Sequence, residues 1–204
     1  MFIERPPFFY RMWFPGALWR IRQKGKKVVY LTFDDGPIPE VTPWVLSVLE
    51  ERGIKATFFC VGDNVRKYPE VFQQLLDAGH AVGNHTFNHI QGIKCRTKTY
   101  VDNTEKADNL IHSSYFRPPH GHLRIRQLLK LRKKYKVIMW DLVTRDYSKR
   151  ISPEQTLKNV KQYVRDGSII VFHDSIKAEK NLRYALPKAL DYLIREGYTF
   201  SLLP

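Results

Sequence analysis

The stretch LTFDDGP, residues 31–37, sets two adjacent carboxylates, Asp34 and Asp35, between an apolar run and a Gly-Pro turn. The run itself, KVVYLTF at 27–33, reads as a buried strand, so the two acids stand where a strand stops. Like charges this close raise each other's cost of ionising unless a cation or a shared proton intervenes. A solvated surface turn also tolerates such a pair. Its meaning therefore depends on what else converges on the same place.

Working outward, similar short runs recur: KATFFCV (55–61), AVGNH (81–85), SYFRP (114–118), KVIMWDLV (136–143), SIIVFHD (168–174) and YTFSLL (198–203). Amphipathic, helix-like segments lie between them, among them TPWVLSVLEERG, NVRKYPEVFQQLLDAG, SPEQTLKNVKQYVRDG and residues 178–197. Gly53, Gly79, Gly167 and Gly197 fall where helix C-termini favour glycine, and Ser152-Pro153 starts a helix with a capping hydroxyl and a first-turn proline. Strand–helix alternation of this kind predicts an α/β fold with a parallel sheet covered by helices. Periodicity leaves open whether the sheet closes into a barrel. The chemically capable residues gather at strand C-terminal ends: Asp34, Asp35, His85, Arg117, Asp141 with Asp146 nearby, and His173. That rim is where active sites are built in parallel α/β folds.

The chain has 204 residues, enough for one domain with a sizeable core. Its hydrophobic fraction of 43% is that of a globular protein, and no uncharged apolar run is long enough to cross a bilayer. Two cysteines, Cys60 and Cys95, exclude a disulfide scaffold and read as reduced thiols. The net charge of +14 favours anionic partners, an acidic polymer or a membrane surface, while no nucleic-acid-binding motif accompanies it. Much of that charge lies in LRIRQLLKLRKKYK, residues 123–136, read as a helix with a solvated basic face, and around Lys24, Lys26 and Lys27. Arg and Pro interrupt the aromatic residues of 1–26, so this stretch does not read as a signal peptide; it is expected to pack on the fold that follows, the alternative being a seat against a membrane surface, where Trp and Arg partition well. A cytoplasmic or membrane-peripheral location is the corresponding expectation.

HTFNH sets His85 and His89 four residues apart, which would place both imidazoles on one face of a helical turn, close enough to share a metal. One carboxylate from another strand end completes a two-histidine, one-carboxylate set with coordination positions left open, the pattern of a catalytic site. Neighbouring aspartates at a strand end point different ways, so one can bind the cation while the other acts as a base. RPPHG (117–121) offers Arg117 as a bidentate anchor for an aspartate and the His120 amide as an oxyanion donor. VFHD (171–174) ends a strand with His173, a candidate acid that Asp146 could orient. His80, His112 and His122 read as bystanders.

Taken in order, TFDDGP, HTFNH, RPPHG, WDLVTRDY and VFHD resemble the five motifs of the polysaccharide deacetylases, the NodB-like domain of carbohydrate esterase family 4. The resemblance runs from about residue 27 to 204. It implies a distorted, incomplete (β/α)7 barrel carrying a metal-dependent hydrolase of N-acetyl or O-acetyl groups on a carbohydrate such as peptidoglycan or chitooligosaccharide. It also implies roles: Asp34 as general base, and Asp35, His85 and His89 as ligands of zinc or another divalent transition metal. Arg117 would hold Asp34, the His120 amide would stabilise the oxyanion, and His173 would be the acid tuned by Asp146. His120, Tyr147 and Val171 depart from the residues common in the family, Tyr, Trp and Leu, without removing a catalytic group. The alternative is a catalytically weak protein on the same fold that only binds glycan or anionic polymer.

Overall fold

The computed structural model describes residues 4–204. Its centre is β1 (Val28–Asp34), a strand buried along its whole length. Burial on both faces explains the uninterrupted apolar run of 27–33. The alternation is still present. Val29, Leu31 and Phe33 belong to the core under the helices, Val28 and Tyr30 belong to a second core with Phe59 and Ile138, and Thr32 and Asp34 reach Arg117 on that same side.

β1 pairs with β2 (Thr57–Cys60) on one side and with β7 (Ile169–His173) on the other. Beyond β2 follow β3 (Ala81–Asn84), β4 (Tyr115–Phe116) and β5 (Lys136–Val137), and beyond β7 lies β6 (Leu142–Val143). The order is β5-β4-β3-β2-β1-β7-β6 and every ladder is parallel. Asp34 lies level with both Phe59 and His173, so the C-terminal ends of β1, β2 and β7 form one rim. β8 (Thr199–Phe200) pairs with Val28 and Val29 at the opposite end and stands off this path.

One strand expectation and the placement of one residue change. The run 136–143 is not one strand but two pieces on opposite edges, β5 beside β4 and β6 beside β7. Between them the carbonyls of Ile138 and Met139 accept hydrogen bonds from Arg117, and the Asp141 amide donates to Ile169. The chain thus crosses the gap and closes an incomplete (β/α)7 barrel. Asp141 consequently lies on the wrong side for chemistry. It meets Ser168, just before β7, and is held by Arg165 and Arg11 at the strands' N-terminal ends, not on the rim of Asp34 and His173.

The helices are α2 (Thr42–Glu50), α3 (Gly62–Lys67), α4 (Pro69–Asp77), α5 (Thr97–Ile111), α6 (Ile125–Leu131), α7 (Pro153–Tyr163) and α8 (Glu179–Arg195), after an N-terminal α1 (Phe8–Met12). Pro69 splits the expected helix of 64–79 into α3 and α4. The Ser152 hydroxyl accepts from the Gln155 amide at 3.2 Å, capping α7 as its sequence predicts. α5 ends at His112, whose φ of 51° puts a histidine in the left-handed position usually taken by glycine.

Residues 4–21 lie along the barrel's open seam. The Glu4 carbonyl accepts from Val143 on β6, Leu18 exchanges backbone bonds with Val137 and Met139, and Ile21 donates to Gly167. Phe14 and Trp19 are buried there among Phe116, Leu128, Leu131 and Tyr135. Residues 1–3 lie outside the described residues.

Candidate active site and metal centre

Asp34 ends β1 with only 5% of its surface exposed, and its Oδ1 accepts from Arg117 Nη1 at 2.6 Å. Arg117 is fully buried, its guanidinium 4.0 Å from the Phe59 ring centroid. Its donors are shared: Nη1 also reaches Thr32 Oγ1 at 2.9 Å and Nη2 the Met139 carbonyl at 3.0 Å. The expected bidentate grip on Asp34 is therefore a single contact, because the other arm is spent on the crossover backbone. A buried cation with four acceptors is costly to displace, so it fixes the carboxylate it touches.

Asp35 follows in the left-handed region, φ 84°. This turns its side chain away from Asp34 and across to the loop after β3. Its carbonyl accepts from Asn64 Nδ2 at 2.8 Å, which holds the turn. The next residue must be glycine: a Cβ on Gly36 would collide with the Asp174 carboxylate. Asp174 receives hydrogen bonds from the Gly36 amide and the Thr42 hydroxyl, and burial pushes its carboxyl up to about 8. Sequence reasoning stopped at His173 and missed this brace; the HD pair repeating the strand-end pattern of the DD pair was the available signal.

His85 follows β3 directly. Its Nδ1 lies 2.8 Å from the Arg117 carbonyl, which can only accept, so Nδ1 carries the proton and Nε2 keeps its lone pair. Burial keeps the ring neutral, its pKa lowered to about 4. The expected helical turn at HTFNH is absent. The segment is a compact loop in which Thr86 and His89 both take positive φ, 62° and 52°. Side chains tie it down: Asn84 Oδ1 accepts from the Thr86 amide at 2.8 Å, Thr86 Oγ1 from Ile90, and Asn103 Oδ1 on α5 from the amides of Phe87 and Asn88. Asn84, Thr86 and Asn103 are positioning residues that the motif spacing did not reveal.

That loop brings His89 Nε2 to 3.1 Å and His85 Nε2 to 3.7 Å from Asp35 Oδ1. One donor atom from each of the three lies within 4.8 Å of the others, the group that could hold a metal ion. The donor set fits a divalent transition metal: two imidazoles and one carboxylate, with the Nε2 lone pair of His85 aimed at the site by the backbone carbonyl behind it. Burial alone would raise the Asp35 carboxyl, yet the His89 hydrogen bond and the positive charge of His173 outweigh it and hold it well below the usual range.

Across the rim, His173 ends β7. Both oxygens of fully buried Asp146 hold it, Oδ1 against the ring Nδ1 at 2.8 Å and Oδ2 accepting from the backbone amide at 2.7 Å. Burial opposes protonation, but the Asp146 charge and hydrogen bond, with Asp35 and Asp34 behind them, raise His173 to about 9. The Tyr147 ring meets the imidazole edge-on at 4.8 Å. Asn181 on α8 fixes the Asp146 carbonyl at 2.8 Å, another brace the sequence did not announce. His120 has φ 58°, and its ring packs edge-on against His89 at 4.8 Å. A groove of about 420 Å³ opens beside the centre, lined by Asp35, His89, Asn64, Asn88, Ile176 and Lys177. Among the bystanders, His80 accepts from the Ala56 amide at the far end of β2 and His112 caps α5.

The chain is similar to known proteins of one family. The sequence model for "Polysaccharide deacetylase" matches residues 21–140. A peptidoglycan-N-acetylglucosamine deacetylase of Bacillus cereus is 31% identical over 187 residues, covering 88% of this chain and 68% of that protein. A chitooligosaccharide deacetylase of Bradyrhizobium is 31% identical over 200 residues, covering 88% of this chain and 90% of that protein. Among solved structures, a peptidoglycan N-acetylglucosamine deacetylase in complex with 4-naphthalen-1-yl-N-oxidanyl-benzamide superposes with a TM-score of 0.88 at 28% identity, over 98% of this chain and 95% of that one.

Proposed function

The chain belongs to the polysaccharide deacetylase family, and from that premise we propose that it hydrolyses the N-acetyl group of N-acetylglucosamine units in peptidoglycan or chitooligosaccharide. The observation that carries the reading is the meeting on one rim of the Asp35–His85–His89 donor set, the Asp34–Arg117 pair and the His173–Asp146 pair. Asp35, His85 and His89 would hold a divalent transition metal, zinc in our reading of the nitrogen-rich donor set. Such an ion supplies Lewis acidity, polarising an acyl carbonyl and making water acidic enough to attack at neutral pH.

The remaining work falls to this chain's own groups. Asp34, held in place by Arg117, accepts the proton of the attacking water. The His120 amide donates to the oxygen on which charge develops. His173, protonated at neutral pH because of Asp146, gives its proton to the departing amine, leaving acetate and a free amino sugar. Asn64, Asn88 and Lys177 offer polar contacts for a saccharide in the groove. The alternative, a protein that only binds glycan, would need none of these pairings intact.

We assign residues 27–204 to the deacetylase domain and 1–26 to an extension that docks on it, in keeping with the seam contacts of residues 4–21. No helix among the described residues is long and apolar enough to cross a membrane. The basic surface suits a peripheral setting, against a membrane or an acidic polymer. The test is acetate release from N-acetylchitooligosaccharides and peptidoglycan fragments with and without added metal. Asp34→Asn is expected to lose about 100-fold or more in kcat while still binding metal; unchanged turnover in that variant would overturn the base assignment.

A further inference from the structure

Four side chains stand out from an otherwise ordinary surface. Phe8 is 78% exposed, Phe9 64%, Met12 66% and Trp13 75%, more than any other large apolar residue among those described. All four lie on α1 and its cap, and the helix carrying them is firmly attached. Tyr10 and Phe14 pack with Trp19 at ring separations of 5.4–5.9 Å, Arg11 pairs with buried Asp141 at 2.9 Å, and the Tyr10 hydroxyl donates to the Gly121 carbonyl at 3.3 Å. The outward face is thus a fixed feature of the surface.

Charge surrounds it in a particular way. Residues 5–33 contain seven lysines and arginines, residues 109–140 contain eight, and neither segment contains an aspartate or glutamate. Together they account for the whole of the +14 excess. The structure brings the two segments together: Leu128 and Leu131 of α6 share one core with Phe14, Trp19 and Tyr10, and Arg132 lies against Gly16. On α6 and the residues flanking it Arg124, Arg126, Lys130, Arg132 and Lys133 are exposed, as is Lys134, which pairs with Asp108 at 2.8 Å, with Ile125 and Leu129 between them at 51% and 41%.

We propose that α1 and the flank of α6 form a docking surface for an anionic lipid bilayer. Phe, Trp and Met at headgroup depth with lysines and arginines around them is the composition that partitions to such an interface. A second copy of the chain would bring two strongly positive faces together, which like charge opposes. A soluble acidic polymer would use the lysines and arginines but gives no reason to expose two phenylalanines, a methionine and a tryptophan. The helix also touches the loop that carries His120 through Tyr10 and Gly121, so the bilayer would lie beside the catalytic rim and favour a saccharide attached to lipid. This narrows the anionic partner of the proposed function to one surface and does not rest on the chemistry there.

The experiment is sedimentation of the full chain with vesicles of phosphatidylcholine, with and without an equal share of phosphatidylglycerol. Wild type is compared with the Phe9→Ser/Trp13→Ser double variant. Wild type should pellet with the anionic vesicles and not the neutral ones. The double variant, with an unchanged melt and unchanged acetate release from a soluble oligosaccharide, should bind at least about tenfold more weakly. Equal binding by wild type and variant would mean that charge alone acts, as for a polymer, and would overturn the proposal. So would no pelleting of wild type, or a wild-type dimer in light scattering that the variant abolishes. Because binding is read without turnover, an inactive enzyme that still pellets would sink the catalytic reading and leave this one standing.

Discussion

Asp34 and Asp35 are chemically identical neighbours, and their backbones separate their work. Asp34 keeps the extended conformation of β1 and stays with Arg117, whereas Asp35 enters the left-handed region and reaches the two imidazoles. The adjacency of the pair was legible in sequence because it sits where an apolar run ends; the φ that divides the roles was not. The same holds for His173, visible as a strand-end histidine, while its double grip by Asp146 came only with the fold. A pH prediction belongs at this scale. His173 lies at about 9 through Asp146, so an acid role is fully available at neutral pH and is lost as pH rises through that value. Asp146→Asn removes the charge and leaves the burial that lowers His173, so the basic limb of kcat/KM should move down by about one pH unit or more. A cation on Asp35 would cancel that residue's share of the shift, so the difference between wild type and variant is what matters. An unmoved limb would show that another group donates the proton.

At the scale of elements, the sequence misled wherever tertiary contacts outweighed local pattern. Residues 136–143 carry the apolar character of one strand, but buried Arg117 takes the carbonyls of Ile138 and Met139, and the chain crosses from one edge of the sheet to the other. Asp141, expected on the rim, lies at the far end for the same reason. HTFNH has helical spacing, yet Asn84, Thr86 and Asn103 supply loop-capping bonds that a helix would not need. The two histidines still meet, by a different route. That route makes α5 a support of the candidate metal site: Asn103→Ala should weaken divalent-metal affinity by roughly 10–100-fold, as loss of outer partners does elsewhere. Calorimetric titration checks this, with far-ultraviolet circular dichroism confirming that the fold is retained. Unchanged affinity would mean that the loop holds itself.

Over the whole molecule, two asymmetries organise the protein. Chemistry collects at the C-terminal ends of β1, β3 and β7, as the distribution of polar residues along the sequence indicated. Positive charge collects on the side where residues 4–21 cover the barrel seam; the sequence located it in separate segments, and the fold brings α6 and the N-terminal segment together. The expectation of seven strands survives as a seven-strand path, though with β5 and β6 both on it and the C-terminal β8 off it. The proposed chemistry depends on three side chains from two separate loops sharing one divalent ion. The direct measurement is a zinc titration of metal-stripped protein by calorimetry, wild type beside His89→Ala. One ion per chain in wild type and loss of that site in a variant of unchanged fold is the expected result; equal binding by both would contradict the account.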